Sequence, residues 1–331
     1  MYTPVVFVSG ATGCQGGAVA RCLRSKGVPV HALARDPTSA KAKELESIGV
    51  ELTPGDYDNK AALDEAMRGC TSFFLVLMPD FTDLTAERRW ATSIVLAAKT
   101  AGVKHAVYSS GFSANDPDSL TFLEKGGFLD TVMRNKNAIE AQTRNAGFDY
   151  WTILRPGFFM SNFVEPSVRM YPDLVEKGAW TTTLTPTTII PLTNTVIIGR
   201  FGGEAFIDPK RFDKKEITYA DDWLDSETIL QKLSVAVAKE LRAKYLSEEE
   251  IEDQKPTNPF ISGQLCIRDM AKLATKEGTE EWGIPLSTFD EFLQREKVAV
   301  QETYHKVWLE SYLRGSWSKR IGQIFVLHIE S

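Results

Sequence analysis

Near its N-terminus the chain reads VVFVSGATGCQGG, from Val5 to Gly17. The apolar residues before Gly10 predict a short buried strand, and the residues after Gly16 have the pattern of a helix. Gly10, Gly13 and Gly16 follow a GxxGxxG spacing, which lets backbone N–H groups approach a pyrophosphate while the helix dipole favours its charge. The motif therefore predicts a dinucleotide-phosphate loop, with a glycine turn that holds no ligand as the alternative.

Short apolar segments alternate with amphipathic ones through the first half of the chain. Strands are predicted at Val5–Ser9, Pro29–Ala34, Val50–Thr53, Ser72–Leu77, His105–Ser109 and Tyr150–Leu154. Helices are predicted at Gly16–Ser25, Thr38–Ile48, Lys60–Met67, Leu84–Ala101 and Asp130–Asn145. This strict alternation predicts the α/β class, a Rossmann-type doubly wound parallel sheet with helices on both faces.

The alternation stops after Pro156. We expect a dinucleotide-binding domain over 1–156 and a smaller mixed α/β C-terminal substrate domain over 157–331, with 189–210 as a segment that could return to the first domain. In this half the pattern predicts strand and loop at Trp180–Pro191 and a short strand at Glu216–Tyr219. It predicts helices at Ser226–Ala243, Cys266–Glu277 and Leu286–Lys297. Thr303–Ser331 has apolar residues at helical spacing, and docking across the cleft, a dimer contact or a loose attachment all stay open.

Composition excludes several classes of function. The chain has 331 residues and a net charge of −6, without a basic block, which argues against direct nucleic-acid binding. It contains no apolar run long enough to cross a membrane and no signal-peptide pattern, so we expect a cytoplasmic protein. The 4 cysteines and 4 histidines show no metal-ligand spacing, so no metal site is predicted.

The end of the second predicted strand indicates which dinucleotide binds. Arg35 lies 19 residues beyond Gly16, where such folds recognise the adenosine ribose. An arginine at this position offers a planar fork for a 2′-phosphate, which favours NADP over NAD. The neighbouring Asp36 keeps dual specificity open, because a carboxylate can bind a free ribose 2′-hydroxyl.

Two further strand ends are predicted to face the cofactor. Gly55-Asp56-Tyr57-Asp58-Asn59 follows the third strand, where Asp56 either contacts the cofactor or caps the helix that begins near Lys60. Leu77 and Met78 end the fourth strand, and we expect them near the middle of the cofactor.

Four segments together resemble the NmrA-like family, atypical members of the short-chain dehydrogenase/reductase superfamily. They are SGATGCQGG, ALARDP, GDYDN and RPGFFMSNF. The likeness extends from Val5 to Pro209, and Ile284–Phe292 resembles the usual end of the family more loosely. The resemblance implies NADP(H) on a Rossmann domain, with the cleft closed by a small C-terminal domain. It assigns the pyrophosphate loop to Gly10, Thr12, Gly13, Cys14 and Gln15, the 2′-phosphate side to Arg35, Thr38 and Ser39, the adenine side to Asp56 and Tyr57, and the nicotinamide end to Lys136, Phe159, Met160, Ser161 and Asn162.

The reacting end departs from the usual short-chain dehydrogenase pattern. Those enzymes use a tyrosine as proton donor and a lysine four residues later, but here Val132 occupies the tyrosine position while Lys136 is present. Lys136 is predicted to hold the nicotinamide ribose and is the catalytic candidate for proton donation. The alternatives are ribose binding alone, or an ion pair with Glu140 one helical turn later.

Other candidates have competing structural interpretations. Ser109, at the end of the fifth strand, could polarise a substrate carbonyl or only shape a loop. Cys14 at a helix N-terminus could be a reactive thiol, although a small side chain tolerated in the turn is favoured. Phe158, Phe159 and Phe163 either line an apolar cleft or form core between the domains.

The sequence thus favours a reductase that uses NADPH on a small aromatic or apolar carbonyl or enone metabolite, in secondary metabolism. The missing tyrosine keeps a second hypothesis open, a non-catalytic NADP(H) sensor that binds a protein partner. A redox-neutral enzyme that keeps the cofactor structurally is the third.

Overall fold

The computed structural model describes residues 4–255, 258 and 260–305. Within them the strands are β1 Val6–Val8, β2 Val30–Ala34, β3 Val50–Pro54, β4 Ser72–Leu75, β5 His105–Ser109, β6 Tyr150–Pro156, β7 Phe158–Phe159, β8 Ala179–Thr182, β9 Ile189–Thr193, β10 Lys215–Tyr219, β11 Asp222–Asp225 and β12 Arg242–Tyr245. The α-helices are α1 Cys14–Ser25, α2 Ala40–Ser47, α3 Lys60–Ala66, α4 Ala86–Thr100, α5 Phe128–Asn145, α6 Pro172–Lys177, α7 Thr195–Ile207, α8 Pro209–Phe212, α9 Ser226–Val237, α10 Glu248–Gln254, α11 Phe260–Met270, α12 Lys276–Glu280, α13 Phe289–Arg295 and α14 Lys297–Tyr304.

The main sheet has seven parallel strands in the order β10-β6-β5-β4-β1-β2-β3. The strand β1 lies between β2 and β4, so successive connections leave it in opposite directions. In such sheets a crevice opens beyond the carboxyl ends of the strands at this switch point, and ligands bind there. The predicted Rossmann-type fold is confirmed, and its switch point coincides with the glycine loop.

The chain returns to the main sheet after the predicted boundary at Pro156. The helix α7, inside the segment 189–210, packs against α1, and β10 pairs with β6. Close packing is possible because α7 carries glycines: a Cβ on Gly199 would lie 2.6 Å from the Ala18 carbonyl oxygen. The part of the chain that forms the main sheet and its flanking helices therefore includes residues 195–219 as well as those before Pro156. Residue 156 marks only where the second region, which has its own smaller sheets, begins.

A largely buried cluster of ion pairs links β10 to the rest of the main sheet. On α5, Glu140 is fully buried and accepts hydrogen bonds from Arg155 of β6, with Nε at 2.8 Å, and from Arg144. Glu216 of β10 pairs with the same two arginines. Because a buried carboxylate needs such partners, this cluster joins α5, β6 and β10.

The second region has its own apolar core. It contains the sheet β11-β9-β7, the pair β12-β8, and the helices from α9 onward. Phe158 and Phe163 lie in this core, where the Phe163 ring packs edge-on against Trp180 with centroids 5.2 Å apart. Of the two interpretations of these phenylalanines, the structure therefore supports core packing.

Some predicted helix bounds in this region are wrong. The helix at Ser226 ends at Val237, because Ala238 has a left-handed φ of 52°, and residues 242–245 form β12 instead. The predicted helix Cys266–Glu277 is two helices, α11 and α12, separated by a turn. Most of Thr303–Ser331 lies outside the described residues, so its role stays a prediction.

Candidate functional site

The glycine loop forms the turn that its sequence predicts. Gly10 has a left-handed φ of 59°, and its carbonyl oxygen accepts a hydrogen bond from the Gly13 N–H at 2.9 Å. A Cβ on Gly16 would lie 2.4 Å from that same oxygen, so only glycine allows this approach. The helix α1 begins at Cys14 without a side-chain cap and without an acidic residue in its first turn. The loop therefore fits a pyrophosphate, which would be held by backbone N–H groups.

Gln15 and Ser109 join this loop to the end of β5. The Ser109 hydroxyl, 1% exposed, donates a hydrogen bond to Gln15 Oε1 at 2.8 Å. The hydroxyl is thus buried and engaged, which argues against its polarising a substrate carbonyl. The bond instead holds Gln15 beside the loop. Thr12 is half-buried in the same turn.

Cys14 is exposed at the start of α1. Partial desolvation of the thiolate raises the pKa of Cys14, and this effect exceeds the opposing one of the Gln15 N–H. A reactive thiol needs the opposite shift. The structure thus supports the interpretation of Cys14 as a small side chain tolerated in the turn.

The end of β2 offers a cation for a phosphate. Arg35 is exposed and makes no hydrogen bond or ion pair with the described residues. Asp36, by contrast, is engaged: its Oδ1 accepts hydrogen bonds from the Thr38 N–H and hydroxyl, at 2.8 and 2.6 Å. Ser39 caps α2 by accepting a hydrogen bond from the Ala42 N–H. This arrangement leaves Arg35 available and occupies the carboxylate that would favour NAD.

The segment Gly55–Asn59 supports the loop from the next strand. The Tyr57 hydroxyl accepts a hydrogen bond from the Gly10 N–H at 2.6 Å. Burial raises the pKa of Tyr57, so its hydroxyl stays neutral. Asp58 accepts hydrogen bonds from Arg89 and Trp90 of α4 at 3.1 and 2.8 Å.

The proposed capping role of Asp56 is wrong. Asn59 caps α3, since its side-chain oxygen accepts a hydrogen bond from the Ala62 N–H at 3.1 Å. Asp56 is exposed, and its Oδ1 accepts hydrogen bonds from the N–H groups of Asp58 and Asn59, both at 3.0 Å. Asp56 therefore shapes the turn before the helix, and contact with the cofactor stays a prediction.

Some of the residues predicted to contact the middle and the nicotinamide end of the cofactor have accessible side chains, and others are buried. The Leu77 side chain is buried in the sheet core, whereas Met78 is exposed at the edge. Met160 is fully buried in the core of the second region, which leaves only its backbone for a ligand. Ser161 and Asn162 are half-buried in the 3₁₀ turn that follows Phe159.

Lys136 lies on α5 beside the loop that follows β5, and its contact with the nicotinamide ribose stays a prediction. Its stem crosses the loop after β5, and a Cβ on Gly111 would lie 2.8 Å from Lys136 Cδ. Its Nζ donates a hydrogen bond to Glu87 Oε1 at 2.7 Å, and the two side chains are 12% and 1% exposed. The alternative pair with Glu140 is wrong, because Arg144 and Arg155 already hold that carboxylate. Val132, in the tyrosine position, is buried.

Sequence reasoning missed Glu87. It lies in the first turn of α4, and Ala91, Ile94 and Ala98 continue the same buried face. A lone carboxylate on an otherwise apolar helical stripe was the available signal, since such a group is rarely buried without a partner.

An exposed apolar patch borders this edge of the sheet. Phe81 and Phe128 stack with ring centroids 5.3 Å apart and planes 11° apart, although they are 74% and 38% exposed. Phe81 and Met78 belong to the loop after β4, and Phe128 begins the helix that carries Lys136. The Asn135 amide donates a hydrogen bond to the Leu84 carbonyl at 2.6 Å, which docks this loop on α5.

Among the described residues, no helix has the length and apolar character needed to cross a bilayer. The same part of the chain contains no group of three or more His, Cys, Asp or Glu side chains that could hold a metal ion.

The fold and the loop thus define a dinucleotide-binding protein of the Rossmann type. The family model for the NmrA-like family matches residues 3–293, and the chain belongs to this family. This confirms the resemblance drawn from the four motifs.

Several known proteins are similar in sequence or fold. An NAD(P)H azoreductase from Xenophilus azovorans is 37% identical over 177 residues, which cover 53% of this chain and 54% of that protein. A (4-alkanoyl-5-oxo-2,5-dihydrofuran-3-yl)methyl phosphate reductase from Streptomyces griseus is 36% identical over 50% of this chain and 52% of its own length. The chain thus spans about half the length of these curated relatives.

Solved structures share the fold across most of the chain. The NADPH complex of a quinone oxidoreductase from Escherichia coli has a TM-score of 0.69 at 20% identity, and covers 88% of this chain and 99% of that one. NmrA, a negative transcriptional regulator solved with NAD, has a TM-score of 0.64 at 16% identity, and covers 96% and 99%.

Proposed function

We propose that this chain is an NADPH-dependent reductase of a small apolar or aromatic acceptor. The observation that carries the proposal is that Lys136 lies at the same edge of the sheet as the glycine loop before the uncapped helix α1 and as Arg35, which has no hydrogen-bond or ion-pair partner among the described residues. Two similar proteins are named as reductases, of an azo compound and of a (4-alkanoyl-5-oxo-2,5-dihydrofuran-3-yl)methyl phosphate, and these names support this class of reaction.

Each of these residues binds a different part of the cofactor. The N–H groups at the start of α1 bind the pyrophosphate, and Arg35 binds the 2′-phosphate as a bidentate donor. Lys136 holds the nicotinamide ribose hydroxyls through N–H donors that Glu87 does not use. When bound, NADPH supplies the hydride.

Proton delivery follows from what is present at the tyrosine position. The Val132 side chain cannot donate a proton. The proton that balances hydride transfer therefore comes from Lys136 or from a water molecule in the place of the missing tyrosine hydroxyl. The acceptor we propose carries a conjugated carbonyl, azo or quinone group, which can take a hydride. The exposed apolar surface of Met78, Phe81 and Phe128 beside this edge supports an acceptor with an apolar body. A metabolite of a secondary pathway is one such acceptor.

The test is steady-state oxidation of NADPH with an azo dye, a quinone and an aromatic enone as acceptors. We expect acceptor-dependent oxidation, and a fall in kcat of about tenfold or more for Lys136→Met. The double variant F81A/F128A should raise KM with little change in kcat. Oxidation that is equally fast with Lys136→Met would remove the lysine from the mechanism.

The missing tyrosine favours a second candidate, an NADP(H) sensor that binds a protein regulator. It predicts that a partner captured from the native host binds with different affinity to the NADP⁺ and NADPH forms. Equal affinity for both forms would exclude it.

A further inference from the structure

We propose that Glu87 is the positioning residue for Lys136, and that it fixes the ammonium group for the nicotinamide ribose and the acceptor. The inference rests on the proposed function for the identity of the ligand. Its structural basis is the buried ion pair between α4 and α5, with Nζ and Oε1 2.7 Å apart.

Among the described residues, neither Glu87 nor Lys136 forms an ion pair with any other group. Glu140 on α5 is held by Arg144 and Arg155, so it cannot compete for Lys136. Glu87 Oε2 is buried and has no hydrogen-bond partner among the described residues. Lys136 is therefore the group that balances the Glu87 charge in this part of the chain.

Such a pair is a poor way to stabilise a fold. Removing two charges from water costs more than the attraction returns unless the remaining lone pairs are also satisfied, and here one oxygen is not. Apolar residues would fill the space between α4 and α5 at least as well. The arrangement instead restricts where the ammonium lies.

The geometry restricts Lys136 from two sides. Its stem passes over Gly111, where a Cβ would lie 2.8 Å from Lys136 Cδ, and its Nζ bonds to Glu87. An ammonium has three N–H donors, and the bond to Glu87 uses one of them. Two donors are left for ribose hydroxyls or for the developing negative charge on the acceptor.

The helix also favours the carboxylate at this place. Glu87 lies in the first turn of α4, and the hydroxyl of the N-cap residue Thr85 bonds to Asp83 and does not cap this turn, so the N–H groups of the turn attract the charge of Glu87. The Asn135 bond to the Leu84 carbonyl joins α5 to the loop that leads into α4, next to the pair. Glu87 therefore has a fixed position relative to Lys136.

The experiment measures NADP⁺ affinity and thermal midpoint for the full chain with Glu87→Gln, Lys136→Met and both changes together. We expect Glu87→Gln to weaken NADP⁺ binding about tenfold, with no further loss in the Lys136→Met background. The matched control is Glu140→Gln, also a buried carboxylate on this side of the sheet. It should lower the thermal midpoint while leaving the affinity of the folded protein unchanged.

The proposal would be overturned if the double variant lost NADP⁺ affinity by the product of the two single-variant factors. It would also be overturned if Glu87→Gln left the NADP⁺ affinity unchanged. If Glu87→Gln fails to fold, Glu87→Asp serves instead, because it keeps the charge but shortens the reach to Nζ. The NADP⁺ affinity of Glu87→Asp should be lower than that of the unmodified chain. In the Lys136→Met background, Glu87→Asp should cause no further loss of affinity. Binding needs no turnover, so a chain that binds NADP⁺ but reduces nothing would contradict the proposed reductase and still test Glu87.

Discussion

The backbone N–H of Gly10 donates a hydrogen bond to the Tyr57 hydroxyl at 2.6 Å. This bond joins the first residue of the glycine loop to the segment after β3, two strands away in the sheet. Tyr57 is itself held between the turn of Asp56 and the contact of Asp58 with α4. The shape of the phosphate loop thus depends on a residue 47 positions further along the chain.

Tyr57→Phe should weaken NADPH binding several-fold. The change leaves the Gly10 N–H without its partner, which costs about 1–3 kcal/mol where water does not replace the bond. Isothermal titration with NADPH measures the affinity. Tyr150→Phe is the control, because the Tyr150 hydroxyl makes no hydrogen bond with the described residues, and its affinity should match the unmodified chain.

Gly16→Ala should abolish NADPH binding and destabilise the fold. The new Cβ would lie 2.4 Å from the Gly10 carbonyl oxygen and 2.5 Å from that of Ser9, and overpacking of this kind costs about 1–3 kcal/mol or more. The matched change is Gly263→Ala in α11, where no atom lies within 4 Å. It should raise the free energy of unfolding by about 0.5–1 kcal/mol, since alanine is the better helix former. Equal effects of the two changes in urea unfolding would refute the steric argument.

Arg35→Ala should reduce the preference for NADPH over NADH. A charge-assisted bond to the 2′-phosphate contributes about 1.5–3 kcal/mol, which corresponds to about a 10- to 100-fold change in the ratio of dissociation constants. Arg21→Ala removes another exposed arginine, paired with Glu44 at 3.1 Å, and should leave the ratio unchanged. A ratio unaffected by Arg35→Ala would show that the 2′-phosphate binds elsewhere.

Asp221 should make stability depend on pH. Burial raises the pKa of this carboxyl to about 7 from a usual value of 3.8, although it accepts hydrogen bonds from the Asn194 and Ser287 N–H groups, both at 2.8 Å. Between these values the folded chain keeps a proton that the unfolded chain releases. Its contribution to the free energy of unfolding therefore falls as pH rises from about 4 to about 7, and stays low above that range.

The measurement is urea unfolding of the unmodified chain and Asp221→Asn across this pH range. The variant cannot titrate at this position, so the difference between the two free energies should change by a few kcal/mol from pH 4 to pH 7. A constant difference would mean that Asp221 has the same proton affinity in both states.

The first layer of the fold could be predicted because each of its elements carries a local signal. Glycine follows successive helices, and apolar runs mark the strands from Val6 to Pro156. The return of β10 could not be predicted in this way. A short strand such as Lys215–Tyr219 carries no mark of the sheet it joins, which is decided by distant partners such as Arg155 and Glu140.

In the candidate site, too, some residues could be identified from the sequence while their contacts could not. The loop glycines and Arg35 follow from spacing, since backbone approach and position alone identify them. The bond between Tyr57 and Gly10 joins residues 47 positions apart and depends on the strand order of the sheet. The pair between Lys136 and Glu87 joins residues 49 positions apart and depends on how α4 and α5 pack. The spacing that suggested Glu140 as the partner of Lys136 was correct for a lone helix but ignored the arginine of β6.

The central claim is hydride transfer from NADPH to an apolar acceptor at the edge that Lys136 occupies. Its most direct test is a single-turnover reaction with NADPH carrying deuterium at both hydrogens of the nicotinamide C4 atom and an azo or quinone acceptor, analysed by mass spectrometry. We predict one deuterium transferred to product or, where it exchanges with water, stoichiometric formation of NADP⁺ with the reduced acceptor. Tight binding of NADPH with no oxidation by any acceptor of the panel would contradict the account.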